Sequence, residues 1–186
     1  MIFSSDHIYH LYNRGNRNIP IFYQERNYAY FTDKVRQYIL PFADILAYCL
    51  MPNHFHFLLV TKNIEGNELN DAIGIMLRSY TRAINKQENQ TGSLFQAKTK
   101  AKELNKEEKL PLICFNYIHL NPLKAGLVNQ LDNWKYSSFN AYSNNVNDHL
   151  INKSLAKEFI GITFEEYSES IYSFNPSIDI QNKLYL

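Results

Sequence analysis

Leu50-Met51-Pro52-Asn53-His54-Phe55-His56-Phe57-Leu58-Leu59-Val60 reads as a tight turn running into a buried strand. The apolar run Asp44 to Leu50 before it forms a strand of its own. Met51-Pro52-Asn53 is too short for any connection but a hairpin. Side chains alternate along a strand, so His54 and His56 share one face while Phe55, Phe57 and Leu59 share the other. Two neutral imidazoles side by side can hold a divalent cation. The alternative is a pair of half-buried histidines with ordinary hydrogen-bond partners. Both readings stand at this point.

Working outward, Ile8 to Asn13 reads as a first strand, ended by the basic turn Arg14-Gly15-Asn16-Arg17-Asn18. Tyr30, Phe31, Val35, Tyr38 and Ile39 fall at helical spacing between Arg26 and Leu40, and Pro41 stops the run. Asn67 to about Asn89 predicts a second helix, with Leu69, Ile73, Met76, Leu77, Tyr80 and Ile84 as its buried stripe. After Thr91-Gly92, residues 93–102 alternate small side chains with lysines at strand period, placing Lys98, Lys100 and Lys102 on one face. Such a row fits either an edge strand guarded by charge or a contact with phosphates. Leu110 to His119 predicts a third helix, and Asn121-Pro122 the opening of another short one.

The order strand–helix–strand–strand–helix–strand is that of a ferredoxin-like sandwich. The expectation is therefore an α+β fold, an antiparallel sheet with helices on one face, plus a C-terminal helical extension. We expect a domain over residues 1–140 and an extension over 141–186 with a late helix from Phe164 to Tyr172.

The chain has 186 residues and a formal net charge of +1, so the total charge gives no support for a nucleic-acid partner. The distribution says more: residues 1–128 carry +4 and the remainder −3. A mildly basic body with an acidic tail permits a phosphate-binding face. No apolar run approaches the roughly 20 residues that span a bilayer, and the first residues lack a secretory pattern, so a cytoplasmic location is expected. Cys49 and Cys114 sit in apolar segments without a CxxC, which suits reduced core thiols. No GxxxxGK[ST] loop is present, so nothing points to a nucleotide cofactor.

A second informative stretch is Tyr117-Ile118-His119-Leu120-Asn121-Pro122-Leu123-Lys124-Ala125-Gly126-Leu127-Val128. Together with Met51-Pro52-Asn53-His54-Phe55-His56, Tyr12-Asn13-Arg14-Gly15-Asn16-Arg17 and Gly92-Ser93-Leu94-Phe95-Gln96-Ala97-Lys98, it resembles the HUH single-tyrosine transposases. The resemblance is strongest to the REP-associated tyrosine transposase branch and covers residues 7 to 140. It implies a DNA strand-transfer enzyme acting on single-stranded or hairpin DNA through a 5′-phosphotyrosine link with a free 3′-hydroxyl. By position, it makes His54 and His56 ligands of Mg²⁺ or Mn²⁺, and Tyr117 the nucleophile. Related enzymes include monomers and dimers with shared sites, so the partners it implies are DNA and, in the dimeric case, a second copy.

The chemistry of the residues agrees. A phenol with an ordinary pKa near 10 is a weak nucleophile, and a cation on the phosphate oxygens offsets the charge that develops. Two histidines leave the coordination shell incomplete. Asn121 lies four residues after Tyr117, on the same helical face, and is the expected third ligand through its amide oxygen. Oxygen beside imidazole suits Mn²⁺ or Mg²⁺ better than zinc. Asn before Pro is also a good helix N-cap, which would take Asn121 off the Tyr117 helix. His119 falls on a different face. His7, His10 and His149 have no partner at ligand spacing. Arg14, Arg17, Arg78, Arg82, Gln96, Lys98 and Lys100 are the candidate DNA contacts, with Asn13 and Asn16 as added hydrogen-bonding groups.

Two rival functions fit the same residues. In a metal-dependent DNA phosphodiesterase, water attacks and Tyr117 only packs, so activity survives Tyr117→Phe and vanishes on His54→Ala. A non-catalytic DNA-hairpin-binding module needs neither a metal pair nor a placed phenol.

Overall fold

The computed structural model describes residues 1–105, 107–144, 146–161, 167 and 169–174. A four-stranded antiparallel sheet is built from β1 (Ile8–Arg14), β2 (Ala43–Met51), β3 (His54–Thr61) and β4 (Lys100–Glu103), in the order β2-β3-β1-β4. β2 and β3 form the expected hairpin, closing with Met51 opposite His54. The α+β sandwich expected from the sequence is the fold of the chain.

Two helices, α1 (Glu25–Tyr38) and α2 (Glu68–Glu88), cover one face. Between them and the sheet lies a core in which Leu11, Phe31, Phe55, Phe57, Leu59 and Tyr80 are fully buried. α1 ends just before Pro41, and α2 ends at Asn89, whose left-handed backbone (φ 52°) terminates the helix. The one-face description holds for these two helices only. A third helix, α3 (Leu110–Lys124), lies on the opposite face, where Leu46, Cys49, Leu58 and Val60 join Cys114, Phe115 and Ile118 in a second core. Side-chain alternation along β3 is as expected: Phe55, Phe57 and Leu59 enter the first core, and Leu58 and Val60 the second. His54 and His56 therefore point toward α3.

α3 differs from the sequence expectation in one decisive way. It is a single helix with Pro122 inside it, and no new helix opens at Asn121. Proline removes one backbone donor but the turns beyond it still close, through Ala125 N–H to Asn121 O and Leu127 N–H to Pro122 O. Asn121 Nδ2 also donates to Tyr117 O at 2.8 Å, holding the turn of the helix just before the proline. β4 is shorter than expected, beginning at Lys100, so Lys98 precedes the strand.

Two further helices, α4 (Phe139–Ser143) and α5 (Lys153–Ile160), follow. The chain around them runs along the outer edge of β2: Leu50 N–H donates to Tyr136 O, Ser138 N–H to Tyr48 O, and Asn152 N–H to Ile45 O. An unpaired sheet edge is thereby covered. Phe139, Tyr142, Ala156 and Ile160 are buried in the second core. Of the late helix expected from Phe164 to Tyr172, residues 164–166 and 168 lie outside the described residues, and the described part ends in a 3-10 turn, Ile171–Ser173.

Candidate active site

The site is built where β1 and β3 face α3. Tyr12 pairs with His56, and Arg14 with His54, across the β1–β3 ladder, which brings the first strand's alternate side chains to the two imidazoles. The His54 and His56 rings meet edge to face, with centroids 5.0 Å apart. Tyr117 descends from α3 onto this pair: its ring centroid is 5.4 Å from that of His56, at an interplanar angle of 81°. Asn121, one helical turn further along, lines the same cavity as His54.

These groups line a cavity of about 510 Å³ together with Tyr12, Asn13, Arg14, Gln96, Lys98, Lys100 and Lys124. Nine residues singled out in the sequence thus converge: Tyr117, His54, His56, Asn121, Asn13, Arg14, Gln96, Lys98 and Lys100. Arg17 is exposed on the turn after β1 and is not among the lining residues. Arg78 and Arg82 are exposed on α2, across the sheet from the cavity. The phosphate track expected around the sheet is therefore confined, at the cavity, to Arg14 and the lysines. Asn13 is committed to structure, donating to Thr99 Oγ1 at 2.8 Å and to Gln96 O at 3.2 Å. His119 is buried away from the site, its Nδ1 2.7 Å from Tyr167 Oη and its Nε2 2.7 Å from Ser138 Oγ.

Three contributors are not evident from the sequence. His10 is fully buried, and its Nε2 lies 2.9 Å from His56 Nδ1. Tyr12 stacks on His10 with centroids 4.6 Å apart, and Lys100 Nζ sits 5.8 Å from the Tyr12 ring centre. Lys124 reaches the cavity from α3. The signal for His10 and Tyr12 is their period-two spacing on a strand, which acquires meaning only once β1 is paired with β3. For Lys124 it is the i+3 and i+7 relation to Asn121 and Tyr117 on one helix.

Electrostatics keep the imidazoles neutral. Burial, then the Arg14 guanidinium, push His54 down to about 4, against a smaller opposing contribution from Asn121. Burial, then His10, His54 and Arg14, hold His56 well below its ordinary value. Partial burial also lowers the Lys124 amine. Neutral imidazole is the form that binds metals.

The donor set fits a divalent cation. His56 Nε2 is buried without a hydrogen-bond partner, a costly state that a bound cation would relieve. Asn121 spends its amide nitrogen on Tyr117 O, so its oxygen is the atom that could ligate a cation. Among the described residues, no three His, Cys, Asp or Glu side chains are grouped to hold a metal. A cation at His54 and His56 would therefore need a ligand of another kind, and among the cavity-lining residues the Asn121 amide oxygen is the candidate.

Comparison with known proteins bears on the fold and the family resemblance. Over 135 residues the chain is 27% identical to the Haemophilus influenzae protein named "Putative REP-associated tyrosine transposase", covering 62% of this chain and 74% of that one. A solved structure of a REP-associated tyrosine transposase bound to a REP hairpin superposes with a TM-score of 0.59. That likeness covers 75% of this chain and 80% of the other at 17% identity, and so speaks for the fold. The chain resembles the REP-associated tyrosine transposases. No family model matches it. Among the described residues, no helix is long and apolar enough to cross a membrane.

Proposed function

We propose that this protein cleaves and rejoins single-stranded or hairpin DNA, with Tyr117 as nucleophile and a divalent cation, Mg²⁺ or Mn²⁺, held by His54, His56 and Asn121. The observation that carries the proposal is the packing of the Tyr117 ring against the His56 imidazole within one cavity edged by Arg14, Lys98 and Lys100.

In this reading the lysines and Arg14 bind the DNA backbone and set its position without choosing sequence. Tyr117 Oη attacks the scissile phosphorus, and the bond from phosphorus to the 3′ oxygen breaks. The phenol gives up its proton and the departing 3′ oxygen gains one. The products are a 5′-phosphotyrosine and a free 3′-hydroxyl. The cation, when bound, withdraws charge from the phosphate oxygens. Because the ester linkage is kept, rejoining by a 3′-hydroxyl needs no nucleotide cofactor.

The test mixes protein, Mn²⁺ and a hairpin-bearing oligonucleotide and looks for a protein–DNA adduct that survives denaturation. The expected result is an adduct with the unaltered protein and none with Tyr117→Phe. Strand cleavage that persists in Tyr117→Phe but is lost in His54→Ala would replace this reading with attack by water.

A further inference from the structure

The turn after β1 makes a set of contacts whose directions can be worked out from one fixed point. Arg14 Nη2 lies 2.5 Å from Asn18 Oδ1. A guanidinium only donates hydrogen bonds, so the Asn18 atom facing it must be the oxygen. That same oxygen lies 2.7 Å from the Asn53 side chain, which must therefore present its Nδ2 as donor. Asn53 then has only its Oδ1 left for His54, whose Nδ1 lies 2.6 Å away. An amide oxygen cannot donate, so the proton sits on His54 Nδ1.

We propose that Asn18 and Asn53 are positioning residues that hold His54 with its proton on Nδ1, leaving Nε2 as the unprotonated nitrogen available to the cavity. Free histidine side chains favour the opposite arrangement, with the proton on Nε2, so the site must impose this one. The meaning of the device for function rests on the metal reading above, whereas the protonation pattern itself does not.

The backbone is shaped to deliver Asn18. Arg17 and Asn18 both adopt left-handed conformations (φ 52° and 65°), readily reached by asparagine but uncommon for arginine. The turn folds so tightly that a Cβ on Gly15 would come within 2.0 Å of Ile19 O. Gly15 N–H donates to Asn53 O at 2.7 Å, fastening the turn to the β2–β3 hairpin. Together these features seat Asn18 within reach of Asn53. Partners of a histidine's second nitrogen set which nitrogen ligates a metal, and their loss commonly lowers metal affinity about 10–100-fold.

The test uses the full chain labelled with ¹⁵N in its histidines. Metal-free spectra at neutral pH report the protonated nitrogen of each ring, with His54→Ala assigning the signal. The expected pattern is protonation at Nδ1 of His54 in the unaltered protein and in Asn53→Asp, which keeps an acceptor, and at Nε2 in Asn53→Ala. In parallel, Mn²⁺ titration is expected to show affinity falling about 10–100-fold in Asn53→Ala and being largely kept in Asn53→Asp. Should Asn53→Ala fail to fold, Asn18→Ala, whose side chain is exposed, carries the same comparison. A His54 ring protonated at Nε2 in the unaltered protein, or an unchanged ring in both variants, overturns the proposal. Absence of Mn²⁺ binding to a protein whose His54 carries its proton on Nδ1 would instead remove the metal reading and leave the relay standing.

Discussion

His10 Nε2 and His56 Nδ1 are 2.9 Å apart inside the layer between the sheet and α3, so one ring must donate to the other. If His56 donates, its Nε2 is left with a free lone pair, the state a metal ligand needs. His10 then acts on the site through His56, although it lines no part of the cavity.

His10→Ala is expected to weaken Mn²⁺ binding about 10–100-fold and to cost about 1–3 kcal/mol of stability, the penalty for leaving His56 Nδ1 buried and unpaired. Calorimetric titration and urea unfolding measure the two effects. Unchanged affinity would mean that His56 takes no direction from His10.

Asn121→Ala is expected to lower Mn²⁺ affinity while Asn121→Asp keeps or raises it, because an oxygen remains at the ligating position. Tyr117→Phe should leave affinity within a few fold. A pattern in which all three behave alike would assign α3 no part in holding the cation.

Stability should fall steeply on mild acidification of the metal-free protein. Burial holds His10 and His119 down to about 3 and is the main cause that brings His54 to about 4. In the unfolded chain each titrates near 6.5. Between those values the unfolded chain takes up protons that the folded chain refuses. The stabilisation is therefore complete above about 6.5 and is lost as pH drops toward 4, at about 1.4 kcal/mol per pH unit for each histidine. Urea midpoints at pH 7, 6 and 5 measure this. His119→Gln, remote from the cavity, should remove one histidine's share of the slope. A flat profile across the window would contradict the burial argument.

Salt dependence separates the two basic faces. Replacing Lys98 and Lys100 by alanine should weaken binding to single-stranded DNA without altering sequence preference. It should also reduce the slope of log affinity against log salt by about 0.7 for each phosphate that is no longer neutralised. Replacing Arg78 and Arg82, across the sheet, should leave both quantities nearly unchanged. The reverse result would place the DNA on the α1–α2 face.

The sheet is legible in the sequence because period-two alternation in β3 and the two-residue turn at Pro52-Asn53 are local signals. α1 and α2 are legible for the same reason, each having a clear apolar stripe. α3 carries a different signal: it is buried on nearly all sides, from Leu110 to Pro122, so its sequence has no polar face to say which layer it joins. The proline in it reads as a break because the rule concerns local backbone preference, whereas the packed helix closes its turns on either side of Pro122. His54, His56, Tyr117 and Asn121 can be named from spacing and resemblance. His10 and the turn that holds Asn18 cannot, since their roles arise from cross-strand register and from a hairpin 35 residues away in sequence.

The most direct measurement is to isolate the covalent adduct from an oligonucleotide cut in the presence of Mn²⁺, digest it, and identify the modified residue by mass spectrometry. The account predicts a single modified tyrosine, Tyr117, joined to the 5′ phosphate of the downstream fragment, with the upstream fragment ending in a 3′-hydroxyl. A phosphate attached to another residue, or linkage to the 3′ end of the upstream fragment, would contradict it.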